Sequence, residues 1–347
     1  MSFLDGLFGK KKRTESVVLI DIVADSVAGA YAYYVEDEKP SVLYTRRLPV
    51  EAREGESQDR AMLRALKILA DTLISEGAPV LARATGSGAA GTILVSIDAP
   101  WQETSVRTEH FEAEEPFVFT RNLVDAKLGE TVVKAPGKML ADESIIGTIL
   151  NGYETRDPYG KRVRRASVVV LTSLIDEKVA KGIATILQAA YHTKNILPIA
   201  GSSLRYQAMY KAFPHERDAL IVDATGPLTS LALLRHGLLA TAVDAAPADT
   251  ADAWVEHIRA DLTELAKQYP LPRTIFLLAR EAQVAALQKT LSEAKLADLW
   301  LSDNPPKVVS VLPSHISGLV RQVSTAAPDL LLLLMALYFE YSAPERG

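Results

Sequence analysis

Two distant segments of the chain repeat one pattern, and this duplication constrains the fold more than any other feature. The segments VVLIDIVADSVAGAYAYY (Val17–Tyr34) and ALIVDATGPLTSLALLRHG (Ala219–Gly237) each contain an apolar strand that ends near an Asp. A tight turn of small residues and a second strand follow in both. The separation of the two segments is far too long for a solenoid repeat. The pattern therefore predicts a duplicated domain, in which each copy begins with a β-hairpin.

Hydrophobic periodicity assigns the remaining elements. Strands are predicted over Ser16–Ile22, Ala28–Val35, Ser41–Leu48, Thr92–Ile97, Ile145–Ile149, Ala166–Thr172, Ala219–Asp223, Leu228–Leu234, Thr274–Ala279 and Lys307–Val311. Helices are predicted over Asp59–Ser75, Thr120–Leu128, Asp176–Tyr191, Ser202–Ala212, Asp252–Tyr269, Glu281–Ala294 and Pro328–Tyr341, with a flexible linker over Ala82–Gly91. Strands that alternate with helices indicate an α/β protein.

A hairpin with an Asp at its turn can wrap a phosphate group. Its backbone N–H groups and a small hydroxyl can face the phosphate oxygens, while the carboxylate holds Mg²⁺ through water. An antiparallel hairpin with an Asp in its turn is also a common structural element without any ligand. The presence of two such hairpins, on either side of an inserted block, favours a pair that clamps a nucleotide.

This arrangement resembles the actin/Hsp70-like superfamily, in particular bacterial actin-like proteins of the FtsA and PilM type. The most specific local match is DESIIGTILNGYETRDPYGKRVRRASVVVLTS (Asp142–Ser173) in the inserted block. The resemblance implies duplicated actin-like (ribonuclease H-like) subdomains with an inserted small α+β domain of the SHS2 type. The implied division is a tail over 1–15, subdomain 1A over 16–91, completed by a helix over 328–341, the insertion over 92–191, and a second subdomain over 192–327. Only one helix is expected between Gly237 and Pro272, so subdomain 2B is expected to be reduced.

The resemblance also implies candidate ATP and Mg²⁺ contacts. Asp21 and Ser26 would belong to the first phosphate loop, and Asp223, Gly226 and Thr229 to the second. No catalytic residue and no separate metal site is assigned.

Several positions depart from the family pattern. Val23 and Thr225 stand where glycines normally let the backbone approach phosphate, Pro227 lacks a donor N–H, and Ala279-Arg280 replaces a glycine pair. A Cβ at such a position obstructs the ligand, so the nucleotide site is expected to be degenerate.

Composition and charge narrow the functional classes. The net charge of −5 does not favour nucleic acid as a partner. The absence of cysteine excludes disulfides and thiolate zinc sites. No secretory signal is evident, and the apolar run Leu330–Phe339 is shorter than the roughly 20 residues of a spanning helix. A cytoplasmic protein is predicted.

The N-terminal tail combines an apolar stripe with a basic cluster. Such a segment can lie on an anionic membrane surface. The stripe and the cluster comprise Phe3, Leu4, Leu7, Phe8, Lys10, Lys11, Lys12 and Arg13. The alternatives are a solvated tail and a peptide that docks onto a partner protein.

Other motifs do not support a site. Gly86–Gly91 matches G-x-G-x-x-G but precedes a strand, so a linker is the better interpretation. The histidines show no metal-ligand spacing, and Ser167, which follows a basic pair, begins a predicted strand. A basic turn (Lys161, Arg162, Arg164 and Arg165) is interpreted as solvated, although a partner contact there is an alternative.

The favoured functional hypothesis is a scaffold protein, peripheral at the inner face of the cell membrane. It would engage the cytoplasmic tail of an inner-membrane protein, in cell division or type IV pilus assembly, with possible self-association. The alternatives are an active ATPase that polymerises on ATP and, less favoured, a sugar or acyl kinase.

Deletion of residues 1–13 should abolish co-sedimentation of the protein with anionic liposomes, because each basic residue near such a surface contributes about 1 kcal/mol. Neutral liposomes serve as the control. Equal co-sedimentation of the full chain and the deletion variant would contradict the membrane interpretation.

Overall fold

The computed structural model describes residues 13–131, 135–155, 157–226, 228–245, 247–248, 250–301 and 306–342. Arg13 is therefore the first described residue. The other candidate membrane-contacting residues, Phe3, Leu4, Leu7, Phe8, Lys10, Lys11 and Lys12, lie outside the described residues, as does Pro227. No helix among the described residues is both long and apolar enough to cross a membrane.

The described part of the chain forms fifteen strands and nine α-helices. The strands are β1 (Thr14–Val23), β2 (Ser26–Val35), β3 (Ser41–Pro49), β4 (Thr92–Ile97), β5 (Gln102–Val118), β6 (Lys138–Leu150), β7 (Tyr153–Glu154), β8 (Arg162–Asp176), β9 (Ile196–Ala200), β10 (Ala219–Ala224), β11 (Thr229–Arg235), β12 (Leu238–Ala245), β13 (Thr274–Ala279), β14 (Lys307–Ser310) and β15 (Arg321–Gln322). The helices are α1 (Gln58–Thr72), α2 (Ala78–Thr85), α3 (Arg121–Glu130), α4 (Glu177–Tyr191), α5 (Gly201–Ala212), α6 (Ala251–Gln268), α7 (Glu281–Glu293), α8 (Pro313–Ile316) and α9 (Leu330–Ser342). A π-helical turn, Leu73–Gly77, joins α1 to α2.

Two sheets share one plan, as the duplicated hairpins predict. The first sheet has the strand order β15-β3-β2-β1-β4-β9 and the second has β12-β11-β10-β13-β14. In both, the hairpin pairs antiparallel, and its first strand pairs in parallel with the next strand of the core. The first strand of each hairpin is an apolar run buried on both faces, which is typical of the centre of a covered sheet. The first sheet with α1, α2 and α4 is called the first lobe, and the second sheet with α6 and α7 the second lobe.

Helices α5 and α9 lie between the lobes. Leu332, Leu334 and Phe339 of α9 share one apolar cluster with Leu19 of β1 and Ile221 of β10. Helix α9 is apolar on every side, as expected of a helix enclosed in a core. The apolar run Leu330–Phe339 is therefore a buried helix.

A third sheet, with strand order β5-β8-β6-β7, is inserted between β4 and α4. Helix α3 covers one face of this sheet around Phe119 and Val124. Strand β4 pairs with β1 and α4 packs on α1, so both belong to the first lobe. The strands of the third sheet span Gln102–Asp176, and the division of the chain with an insertion over 92–191 stays a prediction.

The sequence prediction is wrong in several details, among them the omission of β9 and the following three. The stretch between Gly237 and Pro272 holds β12 as well as α6, because β12 continues the second sheet beyond β11. The predicted linker over Ala82–Gly91 is helical as far as Thr85. Strand β5 was not predicted, because its outer half is exposed and rich in Glu and lacks the apolar alternation on which the prediction depends.

Candidate functional site

The first hairpin places a carboxylate at the floor of the cleft between the lobes. Asp21 lies near the end of β1 and is buried. Its Oδ2 atom accepts a hydrogen bond from Arg47 of β3 at 3.0 Å, and Arg47 also donates to Ser26 Oγ at 2.9 Å. The Nε atom of the same guanidinium lies 2.7 Å from Asp329, the residue before α9. Arg47 thus ties the hairpin to the central helix.

The second hairpin repeats this arrangement with different partners. Asp223 of β10 is buried, and its Oδ1 atom accepts hydrogen bonds from the Thr225 hydroxyl at 2.6 Å and the Thr225 backbone N–H at 3.1 Å. The other carboxylate oxygen is paired with Arg205 of α5. Both carboxylates that end the duplicated strands are therefore bound to arginines.

Arg205 also connects the lobes. Its two terminal nitrogens donate to both oxygens of Asp98 at 2.9 and 2.7 Å, and Asp98 follows β4 in the first lobe. Such a two-point guanidinium–carboxylate pair is strong and fixes geometry. One buried guanidinium thus bridges a carboxylate of the first lobe and a carboxylate of the second.

A third arginine spans the mouth of the cleft. Arg280, directly after β13, donates to the backbone carbonyl of Thr225 at 2.9 Å. Its guanidinium is also paired with Asp25, in the turn of the first hairpin, where one contact measures 2.8 Å. Arg280 therefore joins the two hairpin turns directly.

These residues form one cluster, which is called the arginine clamp: Arg47, Arg205 and Arg280 with Asp21, Asp25, Asp98, Asp223 and Asp329. Burial and the neighbouring guanidiniums have opposite effects on the pKa values of two carboxyl groups in the clamp, Asp98 and Asp21. Burial raises the pKa of Asp98 to about 6, although Arg205 counteracts the effect. Burial likewise raises the pKa of Asp21, against the attraction of Arg47, and Asp21 Oδ1 has no hydrogen-bond partner among the described residues. Burial thus favours the protonated form of Asp21 and Asp98 in the cluster.

The structure brings most of the candidate phosphate-loop residues to the cleft. Asp21, Ser26 and Asp223 contact clamp arginines, and Gly226 lines a small cavity beside Arg205. Thr229 is different, because its hydroxyl accepts a hydrogen bond from the Trp254 indole N–H at 2.8 Å. The Thr229 hydroxyl thus faces α6, and its phosphate role stays a prediction.

Sequence reasoning did not identify Arg47, Asp98, Arg205 or Asp329 as cleft residues. A signal existed for Asp98, because TILVSID ends in the same way as the two hairpin strands, with an apolar run followed by Asp. Arg205 carries no comparable signal in the sequence, because its burial in α5 is evident only from the structure. Arg47 and Asp329 carry no local signal, since their pairing depends on packing between distant elements.

The residues present do not fit a magnesium nucleotide between the hairpins. Both candidate carboxylates are occupied by guanidiniums, and the cavity beside Arg205 measures about 20 Å³, little more than one water molecule. A larger space of about 510 Å³ opens at the mouth, and the two arginines along its wall, Arg47 and Arg280, already have carboxylate partners. Among the described residues, no three His, Cys, Asp or Glu side chains are arranged to hold a metal ion.

Comparisons with known proteins establish the fold. No protein family and no curated protein matches the chain by sequence. Its structure is similar to that of a PilM-PilN type IV pilus biogenesis complex, with a TM-score of 0.53, 13% identity and coverage of 93% of this chain and 96% of that chain. A Bacteroides thetaiotaomicron protein with actin-like ATPase fold and unknown function gives a TM-score of 0.45 at 11% identity, over 96% and 99% of the two chains. The ethanolamine utilization protein EutJ from Carboxydothermus hydrogenoformans gives a TM-score of 0.39 at 11% identity, over 94% of this chain and 90% of that chain. The chain has the actin-like fold.

Substitution of Arg205 by Met should lower the free energy of unfolding by about 3–5 kcal/mol, because it leaves the buried carboxylates of Asp98 and Asp223 without their cation. Denaturant unfolding followed by circular dichroism measures the change. Arg259→Met removes an exposed pair with Asp298 and should have little effect. Equal stability of the two variants would show that the clamp does not hold the lobes together.

Stability should also depend on pH through Asp98. Because its folded-state pKa of about 6 lies above the ordinary value of 3.8, the folded protein binds a proton that the unfolded chain releases between these values. The free energy of unfolding should therefore decrease as the pH rises from about 4 to about 6. Asp98→Asn should flatten this slope in urea unfolding series, and an unchanged slope would contradict the assignment.

Proposed function

We propose that this protein is a nucleotide-independent actin-like adaptor, peripheral at the inner face of the cell membrane, that engages the cytoplasmic segment of an inner-membrane protein. The arginine clamp is the observation that carries the proposal. A nucleotide in such a cleft would join two hairpins through its phosphates and a metal ion. Here, guanidinium groups of the chain already supply positive charge between the hairpin carboxylates.

The proposal rests on the energetic cost of opening the clamp. For phosphate and Mg²⁺ to enter, Asp21 and Asp223 would have to release Arg47 and Arg205, and both guanidiniums would need other partners. Loss of one partner from a buried ion pair costs about 3–5 kcal/mol. A nucleotide would have to provide that free energy before any net binding. The Cβ atoms of Val23 and Thr225 add steric obstruction at the two turns.

The choice of partner rests on resemblance and on two surfaces. Because the PilM-PilN complex of similar fold belongs to type IV pilus biogenesis, the proposal takes pilus assembly rather than cell division as the setting. The basic tail would hold the protein near the membrane. A groove of about 920 Å³ between the inserted sheet and the second lobe is large enough for a peptide. An adaptor of this kind needs no hydrolysis, and no catalytic residue is assigned.

Isothermal titration with ATP and Mg²⁺ should give no saturable binding heat, and ATP should not increase the protein sedimented by ultracentrifugation. The variants Asp21→Asn and Asp223→Asn should behave like the unmodified chain toward ATP. Saturable binding that both substitutions abolish, together with ATP-dependent sedimentation, would instead support the polymerising ATPase.

A further inference from the structure

The inserted sheet has an incomplete fourth strand. Strand β6 pairs with β8 along most of its length, but β7 covers only Ile149 and Leu150 on its other side. The last backbone hydrogen bond on that side runs from the Thr155 N–H to the Thr148 carbonyl oxygen at 2.9 Å. Among the described residues, no strand pairs with this outer side of β6 before Thr148. Edge strands with unpaired N–H and C=O groups are templates for the addition of another strand.

The unpaired edge lines the groove between the inserted sheet and the second lobe. Six consecutive residues, Glu143–Thr148, line this space of about 920 Å³. At about 3.3 Å per residue, they would pair with an extended segment about 20 Å long. Arg121 of α3 and Tyr159 lie along the groove, as do Tyr210 of α5 and Arg217. The groove therefore combines a backbone template with side-chain walls.

The charges of the walls indicate the chemistry of the occupant. The Arg121 guanidinium lies over the Tyr159 ring at 5.6 Å, and Arg217 donates to the His236 carbonyl at 2.7 Å. Neither guanidinium has a carboxylate partner among the described residues. Of the lining carboxylates, Glu143 is already paired with Arg107 at 2.9 Å, which leaves Asp125 as the opposing charge. The walls thus present more uncompensated positive than negative charge.

We propose that this groove binds an extended acidic peptide, which adds to the outer edge of β6 as a new strand while its carboxylates face Arg121 and Arg217. Backbone hydrogen bonds would supply affinity, and the wall arginines would select the sequence. This inference rests on the proposed adaptor role for the existence of a partner. Its test is separate, because it involves no nucleotide.

The test uses the full chain and a phage-displayed library of random peptides as the probe. Selected peptides should be enriched in Asp and Glu, and their affinity should weaken as NaCl is added. Hydrogen–deuterium exchange should show slower exchange of the backbone amides in 143–148 when a selected peptide is bound. Selection of no binder, or protection of another surface, would overturn the proposal.

A matched pair of variants tests the role of the walls. The double substitution Arg121→Glu and Arg217→Glu should weaken binding of a selected peptide about tenfold or more. The double substitution Arg162→Glu and Arg164→Glu, on exposed arginines of β8 outside the groove lining, makes the same charge change and should leave affinity unchanged. If both double variants lost peptide affinity equally, the loss would come from the change in net charge and not from the groove, and the proposal would be overturned.

A second pair tests strand addition on β6 itself. Ile145 and Leu140 lie on this strand and are each 39% exposed, but only Ile145 lines the groove. Ile145→Lys should weaken peptide binding, and Leu140→Lys should not. Exchange protection of 143–148 that rises with protein concentration without peptide would mean that a second copy fills the groove, which would also overturn the proposal.

Discussion

The interaction on which the architecture depends is the buried contact of Arg205 with Asp98 and Asp223. Each carboxylate ends a central strand of a different sheet, so one guanidinium fixes the two lobes relative to each other. Removing these charges from water is costly, and the cost is offset only while all three groups stay together.

Side chains of the chain itself lie between the two hairpins, where Arg47 pairs with Asp21 and Arg205 pairs with Asp223. In addition, Arg280 joins Asp25 to the Thr225 carbonyl across the cleft mouth. The actin-like fold is retained because the apolar packing of α5 and α9 between the sheets does not depend on a ligand. Fold and function are therefore separate questions for this chain, because the same fold can carry different sites.

Much of this architecture was predictable from the sequence, because it depends on local patterns. The apolar runs that end at Asp21 and Asp223 identified both hairpins, and helical periodicity identified α1, α4 and α6. The polar strand β5 was missed, since a strand exposed at its outer half has no apolar alternation. The clamp was missed for a different reason. Arg47 and Asp329 are distant in sequence and meet only after β3 and α9 have packed, so their pairing is a property of the tertiary structure.

The inserted sheet is attached to more than the strand that leads into it. The Ser203 hydroxyl of α5 donates to Asp142 of β6 at 2.6 Å, and Thr104 of β5 lies 2.8 Å from the Ser202 hydroxyl. Leu171 of β8 joins the same apolar cluster as Leu239 of β12. Any rotation of one lobe against the other would therefore shear these contacts. The insertion and the second lobe are therefore coupled in position, because a hinge motion of the inserted sheet would have to break these contacts.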